Sequence, residues 1–222
     1  MSEYFNVAYT YESNLIEGNT LTLSETQLVI REGLTIGGTS MREHLEAINH
    51  YEAIEFIEEL VQTVQELSPK SLSQLHYLIL KGIDKENAGR YRKVPVRISG
   101  SQHVPPQPFQ IEKMMEDYFI HFENQKNSIH PVLLAAEMHE RLVTIHPFID
   151  GNGRTSILVM NMLLLKGGYT LANLKGDSES RLRYYKALES VQIHNDPEPF
   201  YHLVMDCVES SLLEHLDLAG AI

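Results

Sequence analysis

The residues best equipped for chemistry lie in one run, HPFIDGNGR, residues 146–154. His146 can serve as a general base, worth ~10²–10⁴ in rate when positioned. Asp150, four residues on, is a carboxylate able to hold Mg²⁺ (or Mn²⁺) where the ion bridges two phosphates. Gly151 and Gly153 permit backbone conformations closed to other residues and let a ligand approach the main chain. Their N–H groups, with the start of the next helix, form a ready anion site. Arg154 adds a positive charge in the first helical turn, a poor place for one unless an anion sits there. Together these groups suit phosphoryl or nucleotidyl transfer without a Walker loop. The plainer alternative is a glycine-rich turn with Asp150 as helix cap and His146 in the core.

Two helices must hold this loop. LLAAEMHERLVTI ends at His146-Pro147, because a residue before proline is pushed out of the helical region. A second helix follows from 152 to 166. The rest of the chain also reads as helices, at about 5–17, one ending near Gly33, then 40–67, 69–82, 110–124, 130–145, 177–192 and 197–216. Thr22 with Glu25 and Ser24 with Gln27 both fit a capping box. In the longest segment Leu45, Ile48, Ile54, Ile57, Leu60, Val61 and Val64 recur at helical spacing. Only residues 89–106 change character: Val94, Val96 and Ile98 alternate, and Ser99-Gly100-Ser101 could turn the chain, which predicts one β-hairpin. The expectation is a single all-α domain over residues 1–222 carrying that hairpin.

Composition narrows the classes. The 222 residues carry a formal charge of −12, which argues against non-specific binding to nucleic acid or an anionic membrane. The N-terminus shows no signal-peptide pattern, and no apolar run reaches the ~18 residues of a membrane span. The single Cys207 makes neither an internal disulfide nor a zinc site. A cytoplasmic protein is the expectation.

The string His146-Pro147-Phe148, then Asp150-Gly151-Asn152-Gly153-Arg154, resembles the signature of the Fic family, H-P-F-x-[D/E]-G-N-G-R-x-x-R. The resemblance extends from about Ser13 to Tyr201. It implies an all-helical domain, with a core over 40–216, that transfers AMP from ATP to a hydroxyl of a target protein. His146 would then deprotonate the target Ser, Thr or Tyr, and Asp150 would hold the metal. Asn152 and the Gly151–Gly153 backbone would bind the transferred phosphate, Arg154 the next one, and Phe148 would anchor the loop in the core. Residues 93–105, with Val94, Val96 and Ile98, resemble the family's target-docking flap. Tyr184, Tyr185 and Gln192 resemble positions lining the adenine pocket. His103 reads as a surface histidine. Relatives often form dimers, so a homodimer is a further expectation.

Residues 13–19, SNLIEGN, resemble the family's inhibitory motif, [S/T]-x-x-x-E-[G/N], with Ser13 and Glu17 at its fixed positions and the inhibitory segment over 1–20. In relatives that glutamate pairs with the second arginine of the signature and obstructs productive ATP binding. Here the second arginine is replaced by Ile157. Glu17 is then expected to turn to Arg154, become neutral, or leave the site. The outer phosphate of ATP loses a contact, leaving nucleotide about 10–100-fold weaker. Three alternatives follow: a different donor, removal of AMP from modified proteins, or a degenerate domain that binds nucleotide as a regulator.

Overall fold

The computed structural model describes residues 2–220, so residues 1, 221 and 222 of the expected span lie outside the described residues. Among the described residues nine α-helices follow one another: α1 Ser2–Ile16, α2 Leu23–Glu32, α3 Met41–Gln62, α4 Pro69–Leu80, α5 Ile111–Gln125, α6 Pro131–Ile145, α7 Asn152–Lys166, α8 Ser178–His194 and α9 Glu198–Leu218. A short 3₁₀ turn, Pro108–Gln110, precedes α5. Among the described residues there is no strand.

The helix α7 sits at the centre because its sequence leaves it no exposed side. TSILVMNMLLL is apolar nearly all round, and every residue from Arg154 to Leu164 is buried. Helices α6, α3, α4 and α1 pack around it. Its one mid-helix polar residue, Asn161, is fully used. The amide nitrogen donates to Tyr9 Oη (2.5 Å) and Ile157 O (3.2 Å), and the amide oxygen accepts from Ala172 N (2.6 Å). Tyr9 in turn donates to Ile157 O (3.3 Å), which fastens α1 onto α7.

Helix ends follow local chemistry. Thr22 and Glu25 form a reciprocal capping box at α2, as do Ser40 and Glu43 at α3. Ser24 is already inside α2, so the Ser24–Gln27 pattern is not a cap. The α3 helix stops five residues short of the expected end. Val64 takes a left-handed conformation (φ 56°) and is exposed, and Gln65 N bonds back to Leu60 O at 2.9 Å.

The expected β-hairpin over 93–105 is not formed; the segment is an extended loop without a ladder. Its turn is present, with Ser101 N donating to Ile98 O (3.3 Å) and Gly100 at φ +76°. The arms do not pair for two reasons. Pro95, Pro105 and Pro106 have no N–H to donate. The buried Arg92 guanidinium also lies between the arms, donating to Val94 O (3.1 Å), Pro106 O (2.6 Å) and His146 O (2.8 Å). One cation bonds the two arms and the α6 end together in place of strand pairing.

Candidate active site

His146 closes α6 in a left-handed conformation (φ 52°, ψ 56°), the common geometry of a helix C-cap but unusual for a residue other than glycine. Its Nδ1 lies 3.3 Å from Val143 O. Only a protonated nitrogen can donate to that carbonyl, so Nε2 carries the lone pair. Burial, against the pull of the Val143 carbonyl, brings the imidazole down to about 4. At neutral pH His146 is therefore an uncharged imidazole whose Nε2 has no partner among the described residues.

The loop from His146 to α7 is held at three points. Phe148 is fully buried and stacks on His76, with ring centroids 3.6 Å apart and planes 7° from parallel. His76 bonds both neighbours, accepting from Gly89 N at Nδ1 (2.9 Å) and so donating from Nε2 to Asp150 O (2.9 Å). The Asn152 amide brackets Phe148, accepting from its N–H (2.9 Å) and donating to its carbonyl (3.0 Å). Gly151 turns the chain at φ +75°, and a side chain there would press on Ile79.

At the start of α7 four charged side chains interlock. Asp150 receives Gly151 N (2.6 Å) and Arg42 Nη2 (2.5 Å), with Arg154 Nη2 at 3.6 Å. Glu46 Oε1 receives Arg42 Nε (3.1 Å) and pairs with Arg154 Nη1 (3.3 Å). Burial raises the Asp150 carboxyl, but Arg154, the Gly151 N–H and Arg42 outweigh it, and Asp150 sits below its ordinary range. Arg154 is 3% exposed, and its Nε has no partner among the described residues. Two carboxylates resolve the dipole problem that the sequence posed for this arginine.

Glu17, just past α1, completes the site. Its carboxylate lies against Gly153, where any Cβ would collide with it, so glycine at 153 makes room for an acid on the first turn of α7. The residue keeps exposed surface, but its carboxyl group faces inward. Burial of that group drives its pKa up, with Arg154 and Arg181 pulling down and Asp150 and Glu46 pushing up. Without the second arginine, Arg154 is the cation that acts most strongly on Glu17, and burial of the carboxyl group opposes its charged form. The crevice lined by Glu17, Arg42, Glu46, Asp150 and Arg154 holds about 250 Å³, less than the ~300–1,000 Å³ usual for a small-molecule site.

The remaining expected residues divide. Tyr185 is beside this crevice: its hydroxyl donates to Ile16 O (3.1 Å), and the Arg181 guanidinium lies 5.4 Å from its ring. Tyr184 is 2% exposed, its hydroxyl on His139 Nε2 (3.0 Å), and offers no open face. Gln192 lines a separate cavity of about 560 Å³ with Tyr118, Glu140 and Tyr201. Ser13, on α1, is buried, and its hydroxyl has no partner among the described residues. Val94 is exposed, and Val96 and Ile98 are half-buried on the extended loop. His103 is no free surface histidine: its Nε2 lies 2.9 Å from Thr144 O, which ties the loop to the α6 end. Sequence reasoning missed His76, Arg92, Arg42 and Glu46. None belongs to a local motif, and each acts across 54 to 108 residues of sequence.

This donor set could hold a divalent cation only by one carboxylate, with the rest of its shell supplied from outside the chain. Among the described residues no three His, Cys, Asp or Glu side chains converge. Mg²⁺ ordinarily takes one or two carboxylates and completes its shell with waters and phosphate oxygens. Asp150, 41% exposed, is the available carboxylate, and its Oδ2 already faces a cation in Arg42.

The site thus sets a neutral histidine beside an acid and a helix N-terminus in an all-helical domain. Residues 66–164 match the model of the Fic/DOC family, so the chain carries a domain of that family. Relatives named "Protein adenylyltransferase Fic" align along most of it. That of Drosophila grimshawi is 38% identical over 206 residues, 92% of this chain and 41% of the relative. That of Nematostella vectensis is 34% identical over 212 residues, 94% of this chain and 48% of the relative. The chain thus spans under half the length of these relatives. Among solved structures, Fic-1 from C. elegans superposes with a TM-score of 0.88 at 29% identity, covering 99% of this chain and 64% of that one. A Fic domain containing signaling protein from Bacteroides thetaiotaomicron VPI-5482 gives 0.85 at 28% identity, covering 96% and 85%.

Proposed function

We propose that the chain is a protein adenylyltransferase, moving AMP from ATP to a Ser, Thr or Tyr hydroxyl of a protein and restrained by Glu17. The observation that carries this reading is the His146 tautomer: Nδ1–H engaged by Val143 and Nε2 left as a neutral base. His146 Nε2 takes the hydroxyl proton as the target oxygen bonds to the α-phosphorus, and the bond from that phosphorus to the bridging oxygen breaks to release pyrophosphate. Arg154 and the unpaired N–H groups of the first α7 turn hold the phosphates against repulsion. Asn152, with both amide atoms on Phe148, shapes the loop that presents those groups. A Mg²⁺ or Mn²⁺ ion carried by Asp150 would neutralise phosphate charge as the leaving group departs. The extended loop 93–105, with Val94, Val96 and Ile98, offers unpaired backbone to a target segment. Tyr185 is the adenine-side residue best supported here, being partly exposed beside the crevice.

Glu17 restrains the reaction by occupancy. Its carboxylate takes the place on Gly153 that a phosphate would use, in a crevice already holding Glu43, Glu46 and Asp150. The reading further takes residues 1–20 as the inhibitory segment, 40–216 as the core, and a cytoplasmic homodimer as the working form.

Paired incubations with α-labelled and γ-labelled ATP test the reaction type. AMP transfer labels protein from the α position only. Label from the γ position would make the chain a kinase, and label from neither would leave a nucleotide-binding regulator.

A further inference from the structure

The signature arginine missing at 157 leaves the crevice one cation short, yet a second guanidinium stands in it. Arg42, in the first turn of α3, reaches across to Asp150 Oδ2 at 2.5 Å. It shares Glu46 Oε1 with Arg154, so two guanidinia ion-paired to one oxygen line one crevice. Arg154 is buried and Arg42 is about half exposed, its side chain 54% accessible. That is the order in which an entering polyphosphate would meet them, inner groups at Arg154 and the outermost at Arg42.

Position 157 itself cannot serve. Ile157 is fully buried in the core, and its carbonyl receives Tyr9 and Asn161. The carboxylates that Arg42 now bonds are replaceable partners. Asp150 gains other cationic company when a nucleotide arrives with its metal ion, and Glu46 keeps Arg154. Arg42 is then free to take a phosphate oxygen as a bidentate donor.

We infer that Arg42 is the second phosphate-binding cation of this chain, gripping the terminal phosphate of a nucleoside triphosphate in place of the arginine that Ile157 lacks. The assignment rests on the nucleotide-transfer reading above and deepens it. It makes Arg42 the residue that distinguishes ATP from shorter nucleotides, supplied by α3 instead of α7.

The test is calorimetric titration with ATP, ADP and AMP in the presence of Mg²⁺, on protein with the crevice cleared by Glu17→Gly. Arg42→Met is added to that background, and Arg42→Lys serves as the charge-retaining control. Arg42→Met is expected to weaken ATP about 10–100-fold while leaving AMP unchanged, with Arg42→Lys recovering part of the loss. An equal loss for ATP and AMP would assign Arg42 a merely structural role and overturn the inference. Unchanged or tighter ATP binding would overturn it too, while leaving the nucleotide-transfer reading intact. If the Glu17→Gly protein binds no nucleotide at all, that reading fails and takes the Arg42 assignment with it.

Discussion

Replacing His76 with phenylalanine separates what its ring does from what its nitrogens do. Phenylalanine keeps a flat ring against Phe148, where the present stack has a 3.6 Å centroid separation. It removes the acceptor for Gly89 N and the donor to Asp150 O, both at 2.9 Å. Each buried backbone group left unpaired costs roughly 1–3 kcal/mol, so losing both partners in His76→Phe should destabilise the protein at pH 7 by about 2–6 kcal/mol. The pH dependence sharpens the prediction. Burial holds His76 near 4 in the folded protein, against about 6.5 when unfolded. Between those values the unfolded chain binds a proton that the folded one refuses, so stability must fall as pH falls. A displacement from 6.5 to about 4 corresponds to roughly 3 kcal/mol, lost by wild type below pH 6.5 and complete near pH 4. The variant has no such group. Urea unfolding of both proteins from pH 7.5 to 4 should therefore show the gap between them closing. A gap that stays constant across that range would refute the assignment of His76 as a neutral, doubly bonded loop clamp.

Other outcomes follow from the same geometry. Arg92→Met removes donors from Val94 O, Pro106 O and His146 O at once. It should cost roughly 2–4 kcal/mol in urea unfolding and hasten limited proteolysis within residues 93–105. Asn152→Ala frees both Phe148 backbone groups and should lower stability by roughly 2–6 kcal/mol as well as activity, seen in a thermal melt alongside labelling. In the Glu17→Gly protein, labelling should hold down to about pH 5 and fail only as His146 titrates near 4. A rate that halves near pH 6.5 would contradict a desolvated base.

The helices were legible because their signals are local. Proline at 69, 131 and 147, the Thr22–Glu25 box and the apolar run of α7 each act within a turn or two of themselves. The flap was misread for the opposite reason. Alternation at Val94, Val96 and Ile98 is a genuine strand pattern, but Arg92, anchored to the α6 end at residue 146, occupies the space where a ladder would form. The site divides the same way. Its contiguous part, His146 to Arg154, could be read directly, whereas His76 and Arg42 come from helices 70 or more residues away and carry no spacing signal of their own. Tyr184 and Tyr185 show the limit of neighbour-based assignment: adjacent on one helix, one points into the core and the other toward Glu17.

The central claim is that His146 is the base and Glu17 the restraint of an AMP transfer that proceeds without a second signature arginine. Incubation with α-labelled ATP and Mg²⁺, comparing wild type, Glu17→Gly and His146→Ala, tests it most directly. The account predicts that label on protein rises in Glu17→Gly and is absent in His146→Ala. Label that persists in His146→Ala, or that none of the three proteins acquires, would contradict it.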